Sequence, residues 1–444
     1  MSPTASESIT AKTKSLSGHV GNLSASQTDA LKKLWTRLFK VFDQEGTEYH
    51  KPEEAAETTA PAKKSGYFSF GKKASSSEEK DFFIGTTTNP SWMTLPLEKA
   101  MPLIPGKQLH STFWNMVATD NPDAVLLRFL RARKWDLDAA YNMLANTLRW
   151  RLHMRVDDIV ALGESGIRDE LNRLKPELGD SFVSQLGSGK AYLGGPDKAG
   201  RGICFINVNL HRKEDQPFEV VKILTMYIME TSRVIVHQPV EAACIVFNMD
   251  NFTLKNMDFD FVKFLVTCFE AYYPETLGSC LIHKAPWVFS TVWNLITPLL
   301  DPVVASKIHF TKDVNELTQY VDISALPGNI SGEKDKKTKD EAISVAPVAP
   351  GTLVEPTTEA YKEYKAMIKQ YESETIEWSK TQSDDTNIRH ELAREYRLAR
   401  IKTEKDIRGP TAYEAKGLVT INEQGRVFLD FGGEWTALDI TETV

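Results

Sequence analysis

"ACIVFNMDNFTLKNMDFDFVKFLVTCFEAYYPETLGSCLIHKAPWVFSTVWNLITPLLDPVVASKIHFTK", residues 243–312, decides the fold because its apolar residues alternate between strand-length and helix-length runs. "ACIVFNM" (243–249), "SCLIHKA" (279–285) and "KIHFTK" (307–312) are short and apolar, as buried strands are. "DFDFVKFLVTCFEAYY" and "PWVFSTVWNLITPLL" between them are long enough for helices. Upstream, "ICFINVNL" (203–210) adds a strand and "PFEVVKILTMYIMETSRVIV" a helix. The order β-α-β-α-β-α-β predicts an α/β fold with a mainly parallel sheet covered by helices.

Working outward, "NPDAVLLRFLRARKWDLDAAYNMLANTLRWRL" predicts two helices that meet at Lys134-Trp135. Leu126, Phe129 and Leu130 share one face of the first; Asp136 caps the second, whose Leu137, Ala140, Tyr141, Leu144 and Leu148 repeat the pattern. Ser24 to Phe42 reads as another amphipathic helix, with Gln27 completing a capping box on Ser24. "GGPDKAGRG" (194–202) reads as a β-turn, since it lacks a GK[ST] ending and precedes a strand rather than a helix. Near the end, Tyr361, Tyr364, Ile368, Tyr371, Thr375 and Trp378 form a mostly aromatic stripe on one helix. A long charged helix (386–407) and a hairpin-like "GLVTINEQGRVFLDFGG" follow. That tail is either a layer packed on the main domain or a helix that docks a partner.

The expected divisions are 1–22 disordered, 23–43 helix, 44–105 flexible insert, 106–165 N-terminal helical unit and 180–332 α/β domain. A linker (333–355) and a helical C-terminal extension with a hairpin (356–444) complete the chain. The insert is rich in charge, Ser and Ala and poor in aliphatic residues, and its "SGYFSFGKK" island is a candidate membrane or partner contact.

With 444 residues, a net charge of −7 and 41% apolar residues, the chain can bury large cores and does not offer a broad surface for nucleic acid. Its start, MSPTASESIT, lacks the features of a signal peptide, and Ser290, Thr291, Asn294, Thr297 and Pro298 interrupt the greasiest run, 285–300. Contact with membranes is therefore expected to be peripheral. Cys204, Cys244, Cys268 and Cys280 lie far apart without metal-type spacing, and read as buried thiols in a reducing compartment. No HExxH, GxSxG elbow or outstanding carboxylate pair points to catalysis or a metal.

"LLRFLRARKWDLDAA", "AYYPETLG", "APWVFSTVW" and "LLDPVVASKIHF" resemble the CRAL-TRIO lipid-binding family, in its fungal branch of yeast-type phosphatidylinositol transfer proteins. "IHKAPW" and the charged tail are most similar to the chs5 spa2 rescue subfamily. The resemblance covers about 123–332. It implies a helical N-terminal subdomain against an α/β/α lipid-binding domain, with an apolar pocket closed by a gate helix. It also implies that the inositol headgroup is held by Arg133, Lys134, Glu275 and Lys307. That chemistry is suitable: cations hold a phosphodiester, and a carboxylate accepts from inositol hydroxyls.

Three positions depart from the family pattern. Ala243 and Ile245 stand where some members carry hydroxyls for a choline headgroup, Val304 replaces a frequent threonine, and Lys284 replaces a common Asn. Choline phospholipid would lose polar partners at roughly 1–3 kcal/mol each. Ile245 also has no oxygen with which to ligate haem, as a tyrosine does in one relative.

An apolar pocket answers a physical need. Exposing two chains of about 16 carbons to water costs on the order of 25 kcal/mol at about 0.8 kcal/mol per CH₂. Trp287, Phe289, Val292, Trp293, Ile296, Leu299 and Leu300 are expected to form the gate, over a lining that includes Ala243, Ile245, Phe247 and Phe269.

The expected function is binding of phosphatidylinositol and its transfer between membranes, or its presentation to lipid kinases. No catalysis and no cofactor other than the bound phospholipid are expected. The chain is expected to be a cytoplasmic monomer, peripheral on organelle membranes, with a lipid kinase or a partner of the tail helix as further contacts. The alternatives are a carrier of a sterol or squalene-like ligand, and an interaction scaffold stabilised by lipid.

Overall fold

The computed structural model describes residues 16–47, 89, 91–333, 348–382 and 387–443. The "SGYFSFGKK" island, residues 1–15 and the charged run 334–347 lie outside them. Helices of eight residues or more are labelled in chain order: α1 Ala25–Phe42, α2 Gly106–Val117, α3 Pro122–Ala132, α4 Leu137–His153, α5 Val156–Leu174 and α6 Leu178–Gly187 precede the sheet. Within it lie α7 Phe218–Ser232, α8 Phe259–Thr267 and α9 Phe289–Ile296; α10 Glu359–Lys380 and α11 Asn387–Lys402 form the tail.

Strands β1 Ala191–Pro196, β2 Gly202–Asn207, β3 Ala243–Asn248, β4 Leu277–His283 and β5 Ile308–Thr311 lie in sequential order. β2 to β5 are parallel, as the alternation of runs requires, and β1 adds an antiparallel edge. The predicted turn is therefore shorter than 194–202: its first three residues belong to β1, and Asp197 to Arg201 make the reversal. A second, three-stranded antiparallel sheet is formed by β6 Val419–Ile421, β7 Val427–Leu429 and β8 Leu438–Asp439.

Local chemistry sets the helix starts. The Ser24 hydroxyl accepts from the Gln27 amide and the Gln27 side chain accepts from the Ser24 amide, a closed capping box. Asn121 caps α3 and Asp136 caps α4. α5 breaks at Gly163, whose φ of +61° favours glycine. A Cβ there would meet Gly409 at 2.8 Å, because the chain after α11 passes against the break. The Gly351 and Gly409 amides donate to the carbonyls of Leu162 and Val160.

Three expectations about flanking segments change. Residues 91–105, expected within a flexible insert, form short helical turns with Trp92, Met101 and Ile104 buried. Residues 16–22, expected disordered, make a turn whose Gly18 carbonyl accepts from Arg131. Residues 348–351 of the expected linker pack on α5 through Ser165 and Leu162. In each case apolar or backbone groups find partners that composition alone does not reveal.

The aromatic stripe of α10 packs inward. Tyr364, Tyr371 and Trp378 are buried in one core with Trp35 of α1, Trp114 of α2 and Tyr396 of α11. The tail is therefore a packed layer, and its stripe does not present a surface for a partner.

Charged side chains are also buried elsewhere in the fold. Glu230 of α7 meets Arg151 at 2.7 Å and Arg233 at 3.3 Å. Burial alone would raise its pKa from 4.5, but the two guanidiniums outweigh it and hold it at about 2. Glu404, between Arg400 and Arg408, is held at about 2 in the same way. Since the folded values lie below the unfolded one, this stabilisation is full above roughly pH 5 and is lost as pH falls towards about 2. Urea titrations are expected to show stability falling from pH 6 to pH 3, with a shallower fall in Glu230→Gln. Equal slopes in the two proteins would contradict Glu230's part in it.

Candidate functional site

One face of the main sheet borders a cavity of about 270 Å³. The two-residue period of the strands puts Cys204 and Ile206 of β2, Ile245 and Phe247 of β3, and Cys280 and Ile282 of β4 on that face. Ile203 of β2 also borders it, while Phe205, Val246 and Leu281 face the opposite core. Leu224 and Ile228 of α7 form one wall, and Val262 and Leu265 of α8, followed by Phe269, form another. α9 covers the cavity with Phe289, Trp293 and Ile296, spaced by four and three residues along one helical face.

The other face of this cover is exposed. Trp287 is 88% exposed and Leu295 56%; Val303 and Phe310 are also exposed nearby. Phe310 meets Trp293 edge-on at 5.1 Å, so the outer patch touches the inner lining. Among the described residues, no helix is long and apolar enough to cross a membrane.

At the edge where β3, β4 and β5 begin, charged groups gather. The Lys307 ammonium donates to the Leu277 carbonyl at 2.6 Å. Its pKa is lowered by partial burial, with nearby Glu275 opposing the shift and Arg201 reinforcing it. The Arg131 guanidinium reaches Glu275 at 2.6 Å and Glu241 at 3.2 Å. From Glu241 the pairs continue through Arg128 (3.5 Å) to Asp120 (2.9 Å) and Arg233 (3.4 Å). Burial would raise the pKa of Asp120 and of Glu241, but the flanking arginines outweigh it and keep both low. This row of alternating charges borders the cavity, since Asp120, Arg128, Arg233 and Glu241 all line it.

The chain matches the family models for the CRAL/TRIO domain over residues 186–332 and for the CRAL/TRIO N-terminal domain over residues 67–146. A CRAL-TRIO domain-containing protein of Schizosaccharomyces pombe is 34% identical over 425 residues, covering 90% of this chain and 92% of its own length. The chain belongs to the CRAL-TRIO family. A phosphatidylinositol transfer protein, CSR1, of Eremothecium gossypii is 32% identical over 437 residues, covering 91% of this chain and 98% of its own. The SEC14 cytosolic factor of Yarrowia lipolytica is 28% identical over 232 residues, 48% of this chain and 44% of its own.

Within this CRAL-TRIO chain the four expected headgroup residues fall into two pairs. Glu275 lies close enough to Lys307 to act on its ammonium electrostatically. Arg133 and Lys134, just past the end of α3, are exposed, and the Arg133 side chain donates to the neighbouring Ala132 carbonyl. Lys134, Trp135 and Glu275 have φ of +52°, +68° and +60°, a left-handed backbone that non-glycine residues adopt at a cost of about 1–3 kcal/mol. Lys284 is paired with Asp250 at 3.2 Å.

The expected pocket residues also divide. Ala243, Ile245, Phe247, Phe269, Phe289, Trp293, Ile296 and Leu300 line the cavity, as does Val304. Three do not. Trp287 and Leu299 flank α9 on its outer side and are exposed, and Val292 is buried without reaching the cavity. Sequence reasoning passed over Arg131, which bridges Glu275 to the charged row, although it stands beside the motif residues. Arg128 and Arg131 stand opposite the Leu126, Phe129 and Leu130 face of α3, so helical spacing gave no signal that both pack against Glu241.

Proposed function

We propose that the protein binds phosphatidylinositol, with its acyl chains in the cavity and its headgroup at Glu275 and Lys307, and carries it between membranes or presents it to lipid kinases. The observation that carries this reading is an apolar chamber with Lys307, Glu275, Arg131 and Arg201 beside its strand-start edge. Lys307 offers an ammonium to the phosphodiester and Glu275 accepts from inositol hydroxyls. Arg133 and Lys134, at the end of the helix that carries Arg131, add cationic character for an anionic lipid or bilayer. The relative named as a phosphatidylinositol transfer protein supports the same cargo. Every role here is binding or positioning; none is catalytic.

In this reading α9 is the gate. Its inner face seals the chamber, while Trp287, Leu295, Leu299 and Val303 present apolar surface for the membrane from which lipid is taken. Trp287→Ser is expected to weaken binding to anionic vesicles by about tenfold or more, from roughly 1.5–3 kcal/mol of lost apolar burial. Lipid already held should be unaffected, because Trp287 does not line the cavity. Unchanged vesicle binding would remove this surface from the mechanism.

The reading is tested by transfer between donor and acceptor vesicles, with phosphatidylinositol or phosphatidylcholine as labelled cargo. Selective movement of phosphatidylinositol supports it; movement of neither overturns it. A neutral cargo such as a sterol draws support from the absence of hydroxyls at Ala243 and Ile245, and sterol in place of phosphatidylinositol in the same assay would favour it.

A further inference from the structure

At the opposite end of the chamber, where β2, β3 and β4 finish, Lys190, Gln185, His211, Asn256 and Asp258 interrupt the apolar lining. All five are buried. We propose that this group is a second polar terminus of the chamber, one that takes the carboxylate of a single-chain fatty acid.

The hydrogen bonds define what the group lacks. His211 Nε2 lies 3.2 Å from the Asp258 carboxylate, which fixes that nitrogen as the donor. His211 Nδ1 then accepts from the Lys190 ammonium at 3.3 Å. The other Lys190 partners are the side-chain oxygens of Gln185 and Gln216, the latter at 3.2 Å. All three acceptors are neutral. Among the described residues no carboxylate pairs directly with Lys190: Asp258 stands behind His211, and Asp215 acts from a longer range. Burial pushes the Lys190 pKa down to about 8, as expected for a cation without a counter-charge. A ligand carboxylate would supply that charge, displacing the 3.3 Å contact to His211. A ligand hydroxyl would supply only another neutral acceptor.

Position limits the ligand as well. Lys190 immediately precedes β1, and its carbonyl accepts from Asn207 at the end of β2. Lys307 immediately precedes β5, at the other end of the parallel strands. The two polar termini are thus separated by about one strand of six residues, ~20 Å at about 3.3 Å per residue. A chain anchored at Lys190 runs along the floor formed by Ile206, Phe247 and Ile245 towards the other terminus.

The test displaces a bound polyene fatty-acid probe from the full-length protein with palmitate or with hexadecanol, which have chains of equal length. Palmitate is expected to bind about tenfold or more tightly than hexadecanol, as a charge-assisted contact gives. Lys190→Met is expected to keep hexadecanol binding and lose the preference, and Lys190→Arg to retain it. Equal binding of acid and alcohol by the natural protein, failure of palmitate to bind, or an undiminished preference in Lys190→Met would overturn the proposal. Phosphatidylinositol transfer, measured on the same preparations, tests the headgroup reading separately, because Lys190 stands at the other terminus.

Discussion

Glu275→Ala combined with Lys307→Ala is expected to reduce phosphatidylinositol transfer by about a hundredfold or more while the protein stays folded. The pair is the polar part of the chamber rim nearest the starts of β4 and β5, and a headgroup left without charged partners loses roughly 1.5–3 kcal/mol per contact. Neither residue belongs to an apolar core, so thermal unfolding should move by only a few degrees. Lys307→Ala alone should remove the larger share, since it takes away the cation proposed to face the phosphate. Arg133→Ala has a smaller expected effect, because that side chain is exposed and contacts neither Glu275 nor Lys307. Transfer by the double variant within about threefold of the natural rate would mean that the headgroup is held elsewhere. The charged row through Arg131 and Glu241 would then be the first place to look.

The second large effect concerns stability. Arg389 of α11 is buried, bonds to Asp123 through two nitrogens, donates to Tyr371 at 2.9 Å and lies 4.3 Å over the Trp378 ring. Asp123 in turn accepts from the Trp35 indole at 2.7 Å, so one carboxylate joins α1, α3 and α11. Arg389→Met leaves that carboxylate buried without its cation, and a loss of about 3–5 kcal/mol is expected in urea unfolding. Adding Asp123→Leu should recover part of it, because removing both partners of a buried pair is less harmful than removing one. A loss under about 1 kcal/mol in Arg389→Met would contradict the view that the tail is held by this group. Deleting residues 356–444 would strip the cover from Trp35 and Trp114, so it cannot isolate a docking role for the tail.

Much of the α/β architecture was legible because apolar runs of strand and helix length alternate, and because parallel strands need helical crossovers. β1 was missed for a local reason. "AYLGGP" has two glycines and a proline and becomes a strand only by pairing with β2, from Ala191↔Ile206 to Pro196↔Gly202. The tail showed a stripe without showing its partner; an amphipathic face says that something covers it, and here α1, α2 and α11 do so.

The site was legible in part. The inner face of α9 follows from helical spacing, but Trp287 precedes the helix, where that spacing no longer says which way a side chain points. Charged residues such as Arg128, Arg131 and Glu241 read in sequence as a solvated surface. Only tertiary structure shows that they compensate one another along the chamber wall. Lys190 and His211 are 21 residues apart and carry no motif; they meet because the start of β1 lies beside the end of β2.

Native mass spectrometry of the full-length protein, followed by release and identification of what it carries, measures directly whether the apolar chamber holds one phosphatidylinositol. The expected result is one inositol phospholipid per chain, lost in the variant carrying both Glu275→Ala and Lys307→Ala. A protein that carries no lipid, or that carries only neutral lipid whether or not those two residues are intact, would contradict it.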